Sequence, residues 1–302
     1  MRTFFYFLLL LIFINADLLA QANLLNARVP QDVGQLNEAQ TKANNAEYLK
    51  YGYVDDRDII WSKTIWEKID LDQRINFPLY YPTERSNLGE DRKALFDVLK
   101  ENILNGNIKE IYETAYFKTK LVAEDIQFVS IDTTKAATDE YLETGKWNDE
   151  YIDRQEAIAL YVREYRIKGT WYFDKRLGEL KYRLLGIAPV FIPFRKEVLE
   201  AWKENPTCCK DQFYEMFWVW FPEAREWLNK EKVFNTKNSS QPVTYDHLLN
   251  SRRFNSVIYK EENVYQDRSI EEYISQDALR MLLESERIKS IIRDFEQDMW
   301  NN

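Results

Sequence analysis

Residues 164–190 read EYRIKGTWYFDKRLGELKYRLLGIAPV. In the first half Ile167, Gly169, Trp171 and Phe173 alternate with Arg166, Lys168, Thr170 and Tyr172. KRLG forms a turn, after which Leu180, Tyr182 and Leu184 return on one face. Period-two alternation on both sides of a turn predicts a β-hairpin, here over 163–188. Its polar face is basic and suits solvent.

Downstream, CCKDQFYEMFWVWFP (208–222) is apolar on both alternating faces. Phe213, Phe217, Val219 and Phe221 point one way, and Tyr214, Met216, Trp218 and Trp220 the other. This fits a central strand covered on both sides, although a short apolar run also suits a helix. Pro222 cannot continue a ladder but suits the first turn of a helix, PEAREWLNKE. EVLEAWKEN, before the cysteines, reads as another helix.

Upstream, DIIWSKTIWEKIDL (58–71) places Trp61, Ile65 and Ile69 at helical spacing, with Asp58 as a candidate N-cap. A helix is predicted, and strand-like alternation through Ile59 to Leu71 is the rival reading. NFPLYYPTERSN (76–87) carries two prolines and should be extended or looped. DRKALFDVLKENILNG (91–106) is an amphipathic helix, with Leu95, Val98, Leu99 and Ile103 on one face and Gly106 at its end. The polar stretch 132–157 is predicted as a long loop with one helical turn. Thr244 should cap a short helix, FNSVIYKEEN should form a short strand, and 275–300 carries a helical apolar stripe. The stripe comprises Leu279, Leu282, Leu283, Ile288, Ile291, Ile292, Phe295 and Met299.

Together these patterns predict an α+β fold. An antiparallel sheet, with hairpin 163–188 and a central aromatic strand, is packed by amphipathic helices including a long C-terminal one. No internal repeat stands out.

The first residues have a different character. Arg2, an apolar run from Phe4 to about Ile14 and then Ala20 have the layout of a secretory signal peptide, 1–20, cut after Ala20. An uncleaved anchor is the alternative, but the run is short for a membrane span. No cysteine follows it, so it is not a lipoprotein signal. Residues 21–47, rich in Asn, Gln and Ala, read as a flexible leader, leaving 48–302 as one domain. Later apolar stretches fall short of the ~20 residues a transmembrane helix needs. The net charge of −9 offers nothing to nucleic acid or an anionic membrane surface.

Chemistry-bearing patterns are sparse. The sole histidine, His247, falls in a short helix, where a structural or solvent-facing role is usual. One His with two adjacent Cys cannot build a standard zinc site. Nucleotide-binding, zinc-protease and serine-hydrolase motifs are missing. DDRD (55–58) lacks calcium-loop spacing and reads as a helix start. Carboxylates are plentiful, but nothing singles out a glycosidase pair. No catalytic residue, metal or cofactor is therefore assigned, and the chain is expected not to be an enzyme. Cys208 and Cys209 can bridge each other under strain, pair with another chain, or stay reduced as small apolar residues. Asn238-Ser-Ser is a glycosylation pattern common by chance. Exposed aromatics could stack on sugars, so a glycan- or peptidoglycan-binding module stands as a second class of function.

Five blocks carry a resemblance. DIIWSKTIWEKIDLDQRINFPLYYP (58–82), RLGELKYRLLGIAPV (176–190), FYEMFWVWFPEAREWL (213–228), LLNSRRFNSVIYKEENVYQDRSIEEYI (248–274) and ALRMLLESERIKSIIRDFEQDMW (278–300) together resemble the GldN family of gliding motility proteins. The family is called PorN in non-gliding relatives. The resemblance covers about 48–300. It implies a periplasmic subunit of the type IX secretion system of Bacteroidetes, lying under the outer membrane in a ring with the lipoprotein GldK/PorK. That ring is reached by the inner-membrane motor pair GldL and GldM. No catalytic residue comes with the resemblance.

A ring subunit must offer two different faces to identical neighbours. Interfaces favour aromatics, Met and Arg. Trp61, Trp66, Tyr80, Tyr81, Arg252, Arg253 and Phe254, in aromatic or Arg-rich segments beside prolines or helix ends, are the candidate contacts.

Overall fold

A computed structural model describes residues 48–84, 92–133, 152–193, 195–205, 208, 212–235, 243–274 and 277–300. The expected signal peptide and leader, Cys209 and the Asn238 sequon lie outside the described residues. Residues Tyr48–Asn302 cluster as one compact unit.

The hairpin is the centre of the molecule. Strand β6 (Val162–Asp174) pairs along its whole length with β7 (Glu179–Phe191), and Lys175–Gly178 make the turn. Gly178 closes it at φ +64°, a conformation glycine adopts at no steric cost. Buried Asp174 accepts from the Arg176 amide and holds the turn from inside.

Around it an eight-stranded antiparallel sheet runs β12 (Val257–Glu261), β1 (Ile59–Asp70), β6, β7, β9 (Trp218–Trp220), β2 (Ile111–Tyr112) and β3 (Lys120–Leu121). The eighth strand, β8 (Tyr214–Glu215), also pairs with β7. Two small ribbons stand apart: β4 (Val129–Thr133) with β5 (Ile152–Glu156), and β10 (Lys232–Val233) with β11 (Val243–Thr244).

Residues 58–71 are therefore a strand and not the predicted helix. Trp61, Ile65 and Ile69 are four apart, a spacing that satisfies both a period of 3.6 and a period of two. Tertiary cover decides between them. Ile65, Trp66 and Glu67 are consecutive and all buried, because β1 lies inside the sheet with both faces covered. Asp55, not Asp58, makes a cap, on a single 3₁₀ turn at Asp56–Asp58.

Two further expectations are corrected. The ends of the polar stretch 132–157 belong to the β4–β5 ribbon, while 134–151 lie outside the described residues. Pro78 stands in the first turn of a short helix, α1 (Phe77–Tyr80), where its missing N–H costs nothing.

The aromatic run does enter the sheet interior, covered on both faces, but as two short pieces. Phe217 and Val219 join the main core, and Trp218 packs on the opposite face with Trp66 and Ala188. The break falls opposite Pro189 of β7, which has no N–H to offer the ladder.

Helices cover one face of the sheet. Helix α2 (Leu95–Leu104) buries Leu95, Phe96, Val98, Leu99 and Ile103, and ends before Gly106 at φ +70°. Each such side chain contributes about 1.5–3 kcal/mol. After α3 (Lys196–Glu204), α4 (Phe221–Lys230) starts with Pro222 in its first turn and lies on β7. Helix α5 (Tyr245–Asn250) is capped as predicted, the Thr244 hydroxyl accepting from the His247 amide at 3.2 Å. The short α6 (Ile270–Tyr273) leads to α7 (Ala278–Trp300), which packs on β12. Its predicted stripe is only partly covered: Ile288 and Ile292 are buried, while Leu279, Leu282, Leu283 and Ile291 are exposed.

Candidate contact surface

Two glycines shape the two faces of the sheet. A Cβ on Gly169 would lie 2.1 Å from the Tyr182 hydroxyl. Gly169 thus makes the slot that lets Tyr182 cross β6 toward Glu67, its hydroxyl 3.5 Å from the carboxylate. Gly169→Ala should cost about 1–3 kcal/mol by chemical denaturation. The cost should shrink sharply in a Tyr182→Ala background, because the two residues occupy one space. On the other face a Cβ on Gly186 would lie 2.5 Å from Phe117. That glycine seats the β2–β3 connection on the sheet.

Between the main core and the α7 cluster lies a buried polar knot. Glu67, 1% exposed, accepts from Arg252 Nη2 at 2.8 Å and Ser256 Oγ at 3.0 Å. Arg252 lies over the Tyr182 ring at 4.2 Å. Burial alone would lower the Arg252 pKa; the Glu67 charge outweighs it and holds the guanidinium above its ordinary value. Burial pushes the Tyr182 phenol upward. The site is a structural clasp, with Arg252 at φ +51° turning the chain from α5 toward β12.

Residues 48–54 form a strap beside the hairpin end, lining a cleft of about 400 Å³ with Tyr172, Lys181 and Arg183. Arg225, Arg183 and Arg176 donate to the carbonyls of Leu49, Gly52 and Tyr53 at 2.6, 2.7 and 3.2 Å. Arg225 is itself paired with Asp246 at 2.7 Å, both side chains under 10% exposed. Tyr51 stacks over Arg225 at 4.2 Å, and its hydroxyl donates to Asn250 Oδ1.

A second cleft, of about 350 Å³, lies under the β2–β3 connection on the sheet face opposite α2. Its walls include Trp66, Tyr116, Arg166, Glu215, Tyr259 and Lys260. Arg166 is held by Glu215 at 2.6 Å and by Glu164 at 3.1 Å.

The seven candidate contacts do not form one patch. Trp61 stacks on Phe295 of α7 at 4.7 Å, whereas Trp66 faces the second cleft from the other side of the sheet and is 2% exposed. Tyr80 donates to the Leu160 carbonyl and meets Tyr81 edge-on. Arg252 and buried Phe254 belong to the clasp. Tyr81 and Arg253 are the exposed members. Cys208 is half-buried and His247 is exposed. Among the described residues no group of three or more His, Cys, Asp or Glu could hold a metal. No described helix is long and apolar enough to cross a membrane.

Sequence reasoning missed the strap and the clasp. Arg225 and Arg252 pair with partners 21 and 185 positions away, and no local pattern marks either.

Several carboxylates are held below their ordinary values by hydrogen bonds: Asp174 by Arg176, Glu284 by Arg287, and Glu110 by Lys120. A folded value below the unfolded one gives stability that is complete above the unfolded pKa and lost as pH falls through the folded one. The melting temperature should therefore be level from pH 7 to about 5 and fall below about pH 4. Arg287→Ala should make that fall shallower in thermal melts across pH.

This is an antiparallel α+β protein whose described features are clefts, ion-pair clasps and exposed apolar side chains around a covered sheet. The family model described as "Gliding motility associated protein GldN" matches residues 54–301. The chain belongs to the GldN family of gliding motility associated proteins. Comparison with curated proteins gave no match.

Proposed function

We propose that this protein is a non-catalytic subunit of the periplasmic ring of the type IX secretion system. On this reading residues 1–20 export it, and it lies beneath the outer membrane of a Bacteroidetes cell. A lipoprotein of the GldK/PorK kind holds it there, copies of itself flank it, and the GldL/GldM motor reaches the ring. The ring serves protein export and, in gliding species, gliding.

The observation that carries this reading is the family match across 54–301. The exposed apolar side chains of the C-terminal part agree with it. Val264 is 90% exposed, Tyr265 69%, Leu279 66% and Leu283 60%. Isolated large apolar side chains are ordinary on a surface, but an assembling subunit needs such groups at its contacts.

The test is affinity capture of the tagged protein from cell envelopes. Capture of a lipoprotein partner, and loss of this protein when the lipoprotein is deleted, would support the reading. Purification as a monomer that binds isolated peptidoglycan would overturn it in favour of a glycan-binding module.

A further inference from the structure

The loop between β12 and α6 is built to hold its tip in one shape. Asn263 ties it from inside. Its Oδ1 accepts from the amides of Tyr265 and Arg268 at 2.9 and 3.4 Å, and its Nδ2 donates to the carbonyls of Glu261 and Arg268 at 3.1 and 3.3 Å. Asp267 Oδ1 accepts from the Asn263 amide, and its Oδ2 from the Tyr116 hydroxyl, both at 3.1 Å. The base is closed by the Lys260–Ser269 bridge and by the Glu262 amide, which donates to the Thr64 carbonyl at 2.9 Å. Within this frame Gln266 and Asp267 stand at φ +63° and +54°, the left-handed region, where a long side chain such as Gln is strained. Strain of this kind persists only where the surroundings impose it, and it gathers at sites that bind or switch.

The tip that this frame carries faces solvent. Val264 and Tyr265 stand side by side on it, both largely exposed. Arg268 lies over the Tyr265 ring at 5.4 Å and over the Tyr273 ring at 4.8 Å, and the Tyr273 hydroxyl donates to Glu284 of α7 at 3.0 Å. These contacts join the tip to the first turns of α7, which expose Leu279, Leu282 and Leu283. Single exposed apolar side chains are ordinary. Two adjacent ones on a rigid, strained loop, followed by an Arg between two tyrosines, have the make-up of an interface hot spot. Rigidity favours binding, because a preset loop loses little conformational freedom when it docks.

Charge decides what docks there. Residues 261–287 carry 8 acidic and 3 basic side chains, a net −5 of the chain's −9. Glu261, Asp277, Glu284 and Glu286 are paired with Lys63, Arg280, Arg287 and Lys289. Glu262, Glu271 and Glu272 are exposed and make no ion pair among the described residues. Lys260, at the base of the loop, is taken up by the Tyr116 hydroxyl at 2.7 Å. The apolar tip therefore sits in negative surroundings. A symmetric contact with a second copy would set two such surfaces face to face, and like charges across an interface are costly. An anionic lipid surface is disfavoured for the same reason. We propose that the loop Glu262–Arg268 is a docking tip, whose Val264 and Tyr265 enter an apolar hollow rimmed by Lys or Arg on a different protein. That this partner belongs to an envelope assembly rests on the reading above; the tip and its charge do not.

The test places the photo-crosslinker p-benzoylphenylalanine at position 265 of the full chain in its own cells, with the same group at exposed Tyr81 as the control. Mass spectrometry then maps the crosslinked peptide. Position 265 should crosslink to another protein, at a segment that combines apolar residues with Lys or Arg. With the crosslinker moved to position 264, Tyr265→Ser should cut the yield about tenfold. Glu262→Lys with Glu272→Lys should cut it by a similar factor, and so should raising NaCl from ~50 to ~500 mM in isolated envelopes. Asn263→Ala should also lower the yield with both tip side chains intact, which a loose apolar contact would not show. Thermal melts check that each variant is folded; all four positions lie on the loop or in α6, outside the core. A crosslink to a second copy, to lipid or to an acidic segment would overturn the proposal. So would a yield no higher than from position 81, or one that the charge reversals leave unchanged. Lipoprotein capture that survives Tyr265→Ser, with no crosslink from 265, sinks the docking tip and leaves the assembly reading standing. A mapped basic partner without any lipoprotein does the reverse.

Discussion

Arg252→Met should destabilise the protein by about 3–5 kcal/mol, measured by denaturant unfolding, without changing the slope of the transition. The substitution leaves Glu67 in the sheet at 1% exposure with the hydroxyls of Ser256 and Tyr182 as its remaining side-chain donors. An uncompensated buried carboxylate costs several kcal/mol, more than its Coulombic partnership contributes. The reverse change, Glu67→Gln, should cost less. The Gln amide oxygen still accepts from Arg252 and from Ser256, so neither donor is stranded. Replacing both, as Glu67→Leu with Arg252→Met, should recover much of the single-variant loss, because an apolar pair carries no desolvation cost. A cycle in which the two losses simply add would show that the pair is not the clasp described here.

Arg225→Met should cost a similar amount, about 3–5 kcal/mol, and it should also act locally. Arg225 and Asp246 are 4% and 7% exposed, so neither charge finds water once its partner is gone. Among the described residues Asp246 then keeps the side-chain amide of Asn250 as its hydrogen-bond donor. The loss also removes the donor to the Leu49 carbonyl and the surface on which Tyr48 and Tyr51 stack. Residues 48–54 make no strand ladder, so these contacts and those of Arg176 and Arg183 are what hold the strap. Proteolytic cleavage within 48–54 should speed up while the β6–β7 hairpin stays protected. Equal loss of protection in both would mean that the strap is not separately held.

Much of this architecture was legible in the sequence, and the reasons differ by element. The hairpin could be found because Tyr165, Ile167 and Leu184 meet core while the residues between them are only half-buried, so the alternation survives there, although β7 is buried throughout from Gly186 to Phe191. The Thr244 cap and the positive-φ glycines at 106 and 178 are local chemistry and could be found for that reason. The aromatic strand was recognisable from its two apolar faces, but its break opposite Pro189 depended on a partner strand. Strand β1 was misread because residues 61, 65 and 69 satisfy both periods, and cover by β6 and β12 decides the matter. The β4–β5 ribbon is polar, and backbone pairing leaves no hydrophobic signature in such a sequence. In α7 the apolar stripe is wider than this chain can cover. The periodicity correctly gave a helix and overstated how much of it is buried.

The candidate contacts were chosen for residue type, and type does not report exposure. Trp66 and Phe254 are as aromatic as Tyr81, yet the fold encloses the first two and leaves the third 52% exposed. Lys168 and Lys260, whose ammonium groups lie 4.9 and 4.8 Å from the Trp66 ring, were invisible as its neighbours for a related reason. Positions 66, 168 and 260 become neighbours only once the registers of β1 with β6 and β12 are known.

Electron microscopy of the protein captured from its own cell envelope tests the central claim most directly. An assembly subunit predicts closed rings in which this chain repeats around an axis with the lipoprotein at its side. Particles the size of a single chain, free of any lipoprotein, would contradict it.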